Sequence, residues 1–265
     1  MSQSPTSIGR LLARHGLTPR KRLGQHFLAD GNIIDKMVRT ADVRAGDQIV
    51  EVGAGTGALT VAIAETGARV LAYEIDRGLA PVLAEVLGER PNVELRFEDA
   101  MQALPDALGA GPWKLVANLP YNVGTPLVLK LLRTAPQITQ FTVMVQREVA
   151  DRLVALPGTK QYGLPSVVAR LTSEVHRAFV VPPQVFIPAP SVSSAVVVMT
   201  RRSGVDQQRV ERAIEVAAVA FRHRRKMLRA TLDVVAVERA GISPTARPED
   251  LAPERFLDLA DTHED

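Results

Sequence analysis

The tetrapeptide Asn118-Leu119-Pro120-Tyr121 sets a carboxamide, a main-chain carbonyl, a proline and an aromatic ring side by side. Two adjacent oxygen acceptors could take both N–H groups of an aromatic amine and draw its nitrogen toward tetrahedral geometry. An amine conjugated with a ring is a poor nucleophile until its lone pair is freed in this way, and once freed it can attack an electrophilic methyl. Pro120 stiffens the turn. Tyr121 could stack on a flipped base and stabilise positive charge in transit, an effect of roughly 0.5–2 kcal/mol. No strong base is needed beforehand, because the amine proton becomes acidic only after transfer. The chemistry suggested is amine methylation; an ordinary turn with a buried tyrosine is the structural alternative. Phe186, in the proline-rich stretch 182–190, could close on the other face of the base or act as a hydrophobic plug.

Upstream, Glu51-Val52-Gly53-Ala54-Gly55-Thr56-Gly57 places glycines where a strand turns into a helix, so that the backbone can bend sharply and approach a ligand. With Ala58 the run also satisfies the dinucleotide fingerprint, which keeps an NAD site open. Glu74 stands at the distance where an acid accepts ribose hydroxyls in both nicotinamide and S-adenosylmethionine enzymes. Asp99 could accept from an adenine amino group or serve as a solvated turn acid.

These residues need a scaffold that brings strand ends together. Short apolar runs at 49–52, 69–75, 93–97, 113–117 and 141–145 read as strands, with helical patterns at 59–65, 79–87, 125–133 and 147–156 between or after them. Such alternation calls for a doubly wound, mostly parallel sheet with helices on both faces, an α/β Rossmann-like fold. Ligands of such sheets bind at the carboxyl ends of the strands, where Gly53, Glu74, Asp99 and Asn118 all fall. Before this, the chain starts polar and mobile, with a short helix at 33–40. The stretch 182–190 reads as a stiff loop, and residues 194–200 as a last strand. Val210, Ala213, Ile214, Ala217, Ala218 and Phe221 then keep helical spacing. The expected organisation is a basic N-terminal segment 1–30 contributing to the cofactor site, a Rossmann-like domain 31–203, and a small helical domain 204–265.

With 265 residues and 46% hydrophobic content, the chain can bury a sizeable core, and it has no apolar run long enough to span a bilayer. The absence of cysteine excludes disulfides, thiolate metal sites and cysteine nucleophiles. The five histidines lack ligand spacing, so no metal is expected. No signal-peptide pattern is visible, and a cytoplasmic location is the default expectation. Net charge is only +3, but residues 201–230 hold nine Lys/Arg against three acids, and residues 1–30 hold five against one. Two basic regions on a nearly neutral chain suit a polyanion. Arg222, Arg224, Arg225, Lys226 and Arg229, with Lys21 and Arg22, are the candidate phosphate contacts.

Seven motifs occur in order along the chain: Lys21-Arg22-Leu23-Gly24-Gln25-His26-Phe27-Leu28, the glycine run from Glu51, Glu98-Asp99-Ala100-Met101, Asn118-Leu119-Pro120-Tyr121, Val145-Gln146-Arg147-Glu148-Val149-Ala150, Phe186-Ile187-Pro188-Ala189-Pro190-Ser191-Val192, and Phe221-Arg222-His223-Arg224-Arg225-Lys226. Together they resemble the small-subunit ribosomal RNA adenine N6,N6-dimethyltransferase family. The resemblance implies a monomeric enzyme that dimethylates two adjacent adenosines near the 3′ end of that RNA, on an immature small subunit, with S-adenosyl-L-methionine. It further implies that His26, Leu28, Gly53, Glu74, Asp99 and Asn118 contact the cofactor; Gly55 lies in the same turn. Histidine at position 26 departs from the asparagine frequent in bacterial members, and Pro165 and Met227 depart as well. The large-subunit dimethylases of macrolide resistance usually carry isoleucine where this chain has Leu119. A non-catalytic RNA-binding assembly or transcription factor on the same fold is the further alternative, and an NAD oxidoreductase would leave the Asn118 turn and both basic regions without a role.

Overall fold

The computed structural model describes residues 4–262, apart from the side chain of Lys21, which lies outside the described residues together with both chain ends. Nine strands are present among them: β1 (Phe27–Leu28), β2 (Gln48–Val52), β3 (Arg69–Tyr73), β4 (Val93–Arg96), β5 (Trp113–Asn118), β6 (Ile138–Gln146), β7 (Ser173–Val181), β8 (Phe186–Ile187) and β9 (Ser194–Arg201). Seven form one sheet in the order β4-β3-β2-β5-β6-β9-β7. The ladders joining β4, β3, β2, β5 and β6 are parallel. The strands expected from apolar runs therefore appear within a few residues of their expected bounds, in a Rossmann-like order that reverses direction of growth between β2 and β5. That reversal opens a crevice at the carboxyl ends of the central strands.

By internal packing the chain divides into two compact units. One comprises residues up to Ala150 with His176–Met199, and the other comprises Asp151–Val175 with residues from Thr200 onward. The second unit thus begins in sequence at Asp151 and takes in residues 151–175, which the alternating pattern assigns to the sheet domain. Within it, helix Leu164–Thr172 packs on helix Gln207–Phe221, which also carries helix Arg255–Asp261. Phe221 sits between Tyr162 and Phe256, with both ring centroids 5.9 Å away. The Tyr162 hydroxyl donates to the Leu251 carbonyl at 2.8 Å, which satisfies a phenol that is otherwise buried.

The first unit differs from the sequence reading at its start. Residues 5–14 form a helix, Pro5–Arg14, with Ser4 as N-cap and Pro5 at its first turn. Its apolar face, Ile8, Leu11 and Leu12, is buried in the core cluster shared with β2 and β3. Burying each such side chain contributes about 1.5–3 kcal/mol relative to exposure, enough to hold a ten-residue helix that would be marginal alone. Arg14 and His15 add contacts to Glu85 at 2.6 and 2.7 Å. The proline-rich stretch is a single 3-10 turn, Pro183–Val185, followed by β8, which pairs antiparallel with β1. Edge strand β7 interrupts its apolar residues with Glu174, His176 and Arg177, so it carries no clean alternation.

Candidate active site

β2 ends in a glycine turn that folds back onto β3. The amides of Gly53 and Ala54 both donate to the Tyr73 carbonyl, at 2.8 and 3.1 Å, and the Gly55 amide donates to Glu74 Oε2 at 2.9 Å. Gly53 has φ +83° and Gly55 φ +58°. A Cβ on Gly53 would stand 3.2 Å from Pro120 Cδ, and one on Gly55 would stand 3.2 Å from the Phe27 ring. Both positions therefore need glycine for backbone conformation and for the close approach of the Asn118 turn and β1.

Glu74 follows β3. Its second carboxylate oxygen accepts from the Asp76 amide at 2.8 Å. Burial pushes the Glu74 carboxyl upward, while the Asp76 and Gly55 amides pull it back. Asp76, 5% exposed, accepts from Arg20 Nη1 at 2.7 Å and Gln25 Nε2 at 2.9 Å, and the Arg20 amide donates to Gln25 Oε1 at 2.8 Å. This network fastens the segment from Arg20 to Leu28 beside the glycine turn. Asp99 N-caps the helix Ala100–Ala103 through Oδ1, 2.8 Å from the Met101 amide, and its other oxygen is available to a ligand.

Asn118 is the last residue of β5. Its Nδ2 donates to the His26 carbonyl at 3.1 Å, so Oδ1 is the atom left to accept. The Leu119 amide donates to Met144 at 3.1 Å, and the turn closes on the Pro120 carbonyl, which accepts from Val123 and Gly124. The Leu119 carbonyl takes no part in those turn bonds, although the Leu119 side chain is buried. Tyr121 bonds Ser194 Oγ through its hydroxyl at 2.6 Å and stacks on the His26 ring, centroids 5.0 Å apart. His26 Nδ1 lies 2.7 Å from the Pro188 carbonyl, and because a carbonyl only accepts, Nδ1 carries the proton.

One cavity gathers His26, Leu28, Gly53, Gly55, Glu74, Asp99, Asn118, Leu119, Pro120 and Tyr121. Phe186 does not join them. It is 2% exposed and packs in the core cluster, because the pairing of β8 with β1 turns it inward; the plug role, not the base-facing one, matches this placement. Arg224 also differs from expectation. It forms an ion pair with Glu249 at 2.9 Å and donates to the carbonyls of Lys160 and Thr159 at 2.7 and 2.9 Å, so it fastens the second unit internally. Arg22, Arg222, Arg225, Lys226 and Arg229 are exposed.

Glu51 also lines the cavity and was not singled out from sequence. The signal was a carboxylate within the apolar strand Ile49-Val50-Glu51-Val52, since a charged residue in a doubly covered parallel strand is the informative exception. The cavity's acidic side chains are Glu51, Glu74, Glu98 and Asp99, with no Lys or Arg among the described lining. A nucleoside carrying positive charge fits that donor set; a dinucleotide, with its anionic pyrophosphate, does not. Among the described residues no group of three or more His, Cys, Asp or Glu side chains is placed to hold a metal ion, and no helix is long and apolar enough to cross a membrane.

The profile of the ribosomal RNA adenine dimethylase family matches residues 16–265. The chain is 45% identical to a ribosomal RNA small subunit methyltransferase A of Phenylobacterium zucineum, over 96% of this chain and 92% of that protein. It is 44% identical to the protein of the same name from Streptomyces griseus, over 97% and 94%. Among solved structures, a dimethyladenosine transferase from Plasmodium falciparum shares the fold with a TM-score of 0.77 at 23% identity, covering 88% of this chain and 96% of that one. The 23S rRNA methyltransferase ErmE superposes with a TM-score of 0.69 at 27% identity, covering 90% and 100%. The chain belongs to the ribosomal RNA adenine dimethylase family.

Proposed function

We propose that this enzyme uses S-adenosyl-L-methionine to dimethylate the N6 amines of two adjacent adenosines near the 3′ end of small-subunit ribosomal RNA, acting as a monomer on an immature subunit. The observation that carries the reading is the pinned Asn118 amide beside an unclaimed Leu119 carbonyl, at the edge of a cavity walled by carboxylates. The relatives at 45% and 44% identity bear the small-subunit name, which favours that RNA over the large-subunit one.

Gly53, Gly55 and Leu28 shape the cofactor's berth, Glu74 offers its remaining lone pairs to ribose hydroxyls, and Asp99 offers its uncapped oxygen to an adenine amino group. When bound, the cofactor supplies a methyl on a sulfonium, an electrophile that needs no metal activation. Asn118 Oδ1 and the Leu119 carbonyl accept the target amine's two N–H groups and pyramidalise its nitrogen. Tyr121, fixed by Ser194 and backed on one face by His26, offers its other face to the base. Both acceptors are oxygen atoms that a mono-methylated amine can still engage with one N–H, so a second round uses the same turn. Arg222, Arg225, Lys226 and Arg229 meet phosphates from the second unit, and Arg22 does so from the first.

Methyl incorporation into undermethylated small subunits tests this reading. Asn118→Ala should lower turnover by about a hundredfold or more, the scale seen when one preorganised polar contact to a reacting group is removed, while cofactor affinity stays within about tenfold. Unchanged turnover would remove Asn118 from the chemistry.

A further inference from the structure

Glu51 is a buried carboxyl that the amine-binding turn does not use. It lies one residue before the end of β2, is 1% exposed and lines the cavity. Its Oε2 has no hydrogen-bond partner. The groups acting on it are the Thr60 hydroxyl from the helix Ala58–Ala64 and the Glu74 carboxyl from the end of β3. The remaining titratable groups of the wall are Glu98, Asp99, Tyr73, Tyr121 and the His26 ring. A carboxylate here would face other carboxylates without a cation. Burial pushes Glu51 up to about 8, and Glu74 acts in the same direction. At neutral pH the protein without ligand therefore holds Glu51 mainly as the neutral acid.

A positive ligand reverses that balance, because an opposite charge within about 4–6 Å lowers a carboxyl pKa by about 1–3 units. The cofactor of the proposed reaction carries a sulfonium, and its product is a neutral thioether. The ammonium and carboxylate at the other end are common to both. One positive charge thus vanishes from the cavity in each turnover.

We propose that Glu51 is a specificity-determining residue which releases a proton to solvent when the sulfonium cofactor binds and regains one when the thioether is left, so that the cavity prefers cofactor over spent product. No bond to Glu51 forms. The proton it exchanges is separate from the one that the amine loses after methyl transfer. The assignment rests on the cofactor reading above.

Calorimetric titration of the full chain with S-adenosylmethionine and with S-adenosylhomocysteine, near neutral pH in buffers of differing ionisation enthalpy, counts the protons directly. The cofactor should release between about half and one proton and the thioether markedly less; correspondingly, below the ionisation cofactor affinity should tighten by up to about tenfold for each unit that pH rises, while thioether affinity changes less. In Glu51→Gln the two proton counts should coincide, and the affinity ratio of cofactor to thioether should fall by about tenfold. Glu51→Asp, which keeps a titratable group, should retain part of the difference. Equal counts for both ligands in the wild-type protein would overturn the assignment, whatever the variants do. A difference that persists in folded Glu51→Gln would overturn it too. If S-adenosylmethionine does not bind at all, the cofactor reading itself fails, an outcome distinct from binding without proton release.

Discussion

Asn118 can aim only one of its two polar atoms at an amine, and the bond from Nδ2 to the His26 carbonyl decides which. Asn118→Asp is a sharper probe than alanine, because it keeps an acceptor oxygen while losing the donor to His26. Its turnover should fall by more than tenfold, since the new carboxylate loses its anchor and faces the His26 carbonyl at close range. Single-turnover methyl transfer at saturating cofactor measures this. Glu51 makes a separate prediction about stability. Its folded value, about 8, lies above its ordinary 4.5. Between those values the folded protein binds a proton that the unfolded chain has lost, so stability declines as pH rises through the window and levels off above it. Glu51→Gln removes that decline. Chemical denaturation at the two ends of the window should show the variant losing less stability than wild type, by a few kcal/mol at most. An identical slope in both proteins would mean that Glu51 ionises normally. Arg224 and Arg225, adjacent in sequence, should separate cleanly. Arg224→Ala removes the donor to the exposed carbonyls of Lys160 and Thr159 and should cost about 0.5–1.5 kcal/mol of stability. Reversing charge at exposed Arg225 and Lys226 should leave stability within about 0.5 kcal/mol but weaken RNA binding and flatten its salt dependence.

At the scale of elements, the central strands were legible because each is a short apolar run that meets a glycine or polar residue, as β2 runs into Gly53 and β5 ends at Asn118. The helix Pro5–Arg14 was not, because its apolar residues Ile8, Leu11 and Leu12 are diluted by polar neighbours, and tertiary packing rather than local pattern stabilises it. β7 was hidden by the charges that protect an edge, and β1 with β8 by their length of two residues each. Phe186 shows the cost of reading a motif without its pairing partner: the register Leu28↔Phe186 sets its direction, and neither segment reveals that register alone. The fastening of residues 20–28 also escaped sequence reading, since Arg20, Gln25 and Asp76 meet only after folding. Asp76→Ala should release that segment. Amide exchange across residues 20–28 should quicken by about five- to thirtyfold, equivalent to roughly 1–2 kcal/mol of local stability, and cofactor affinity should drop with it. Unaltered exchange would show that the segment is held by β1 pairing alone.

Across the whole molecule, the division into two units follows packing more than sequence order. Residues 151–175 join the C-terminal helices because the helix Leu164–Thr172 packs on the helix Gln207–Phe221, the Gly158 amide donates to the Glu249 carbonyl, and the Tyr162 hydroxyl donates to the Leu251 carbonyl. A linear scan sees only the break near Gly204. Charge is sorted in the same way: the cavity lining of the first unit is acidic, which suits the proposed cationic cofactor, and the exposed basic side chains proposed to meet phosphate are not part of that lining. The identity of the RNA depends on neither feature alone. It is decided by supplying the protein with labelled S-adenosylmethionine and small ribosomal subunits that lack the modification, then mapping the labelled nucleotides. Two neighbouring adenosines near the 3′ end of the small-subunit RNA, each carrying two methyls on N6, is the expected result. Label confined to large-subunit RNA offered in parallel, or absent from adenine N6, would contradict it.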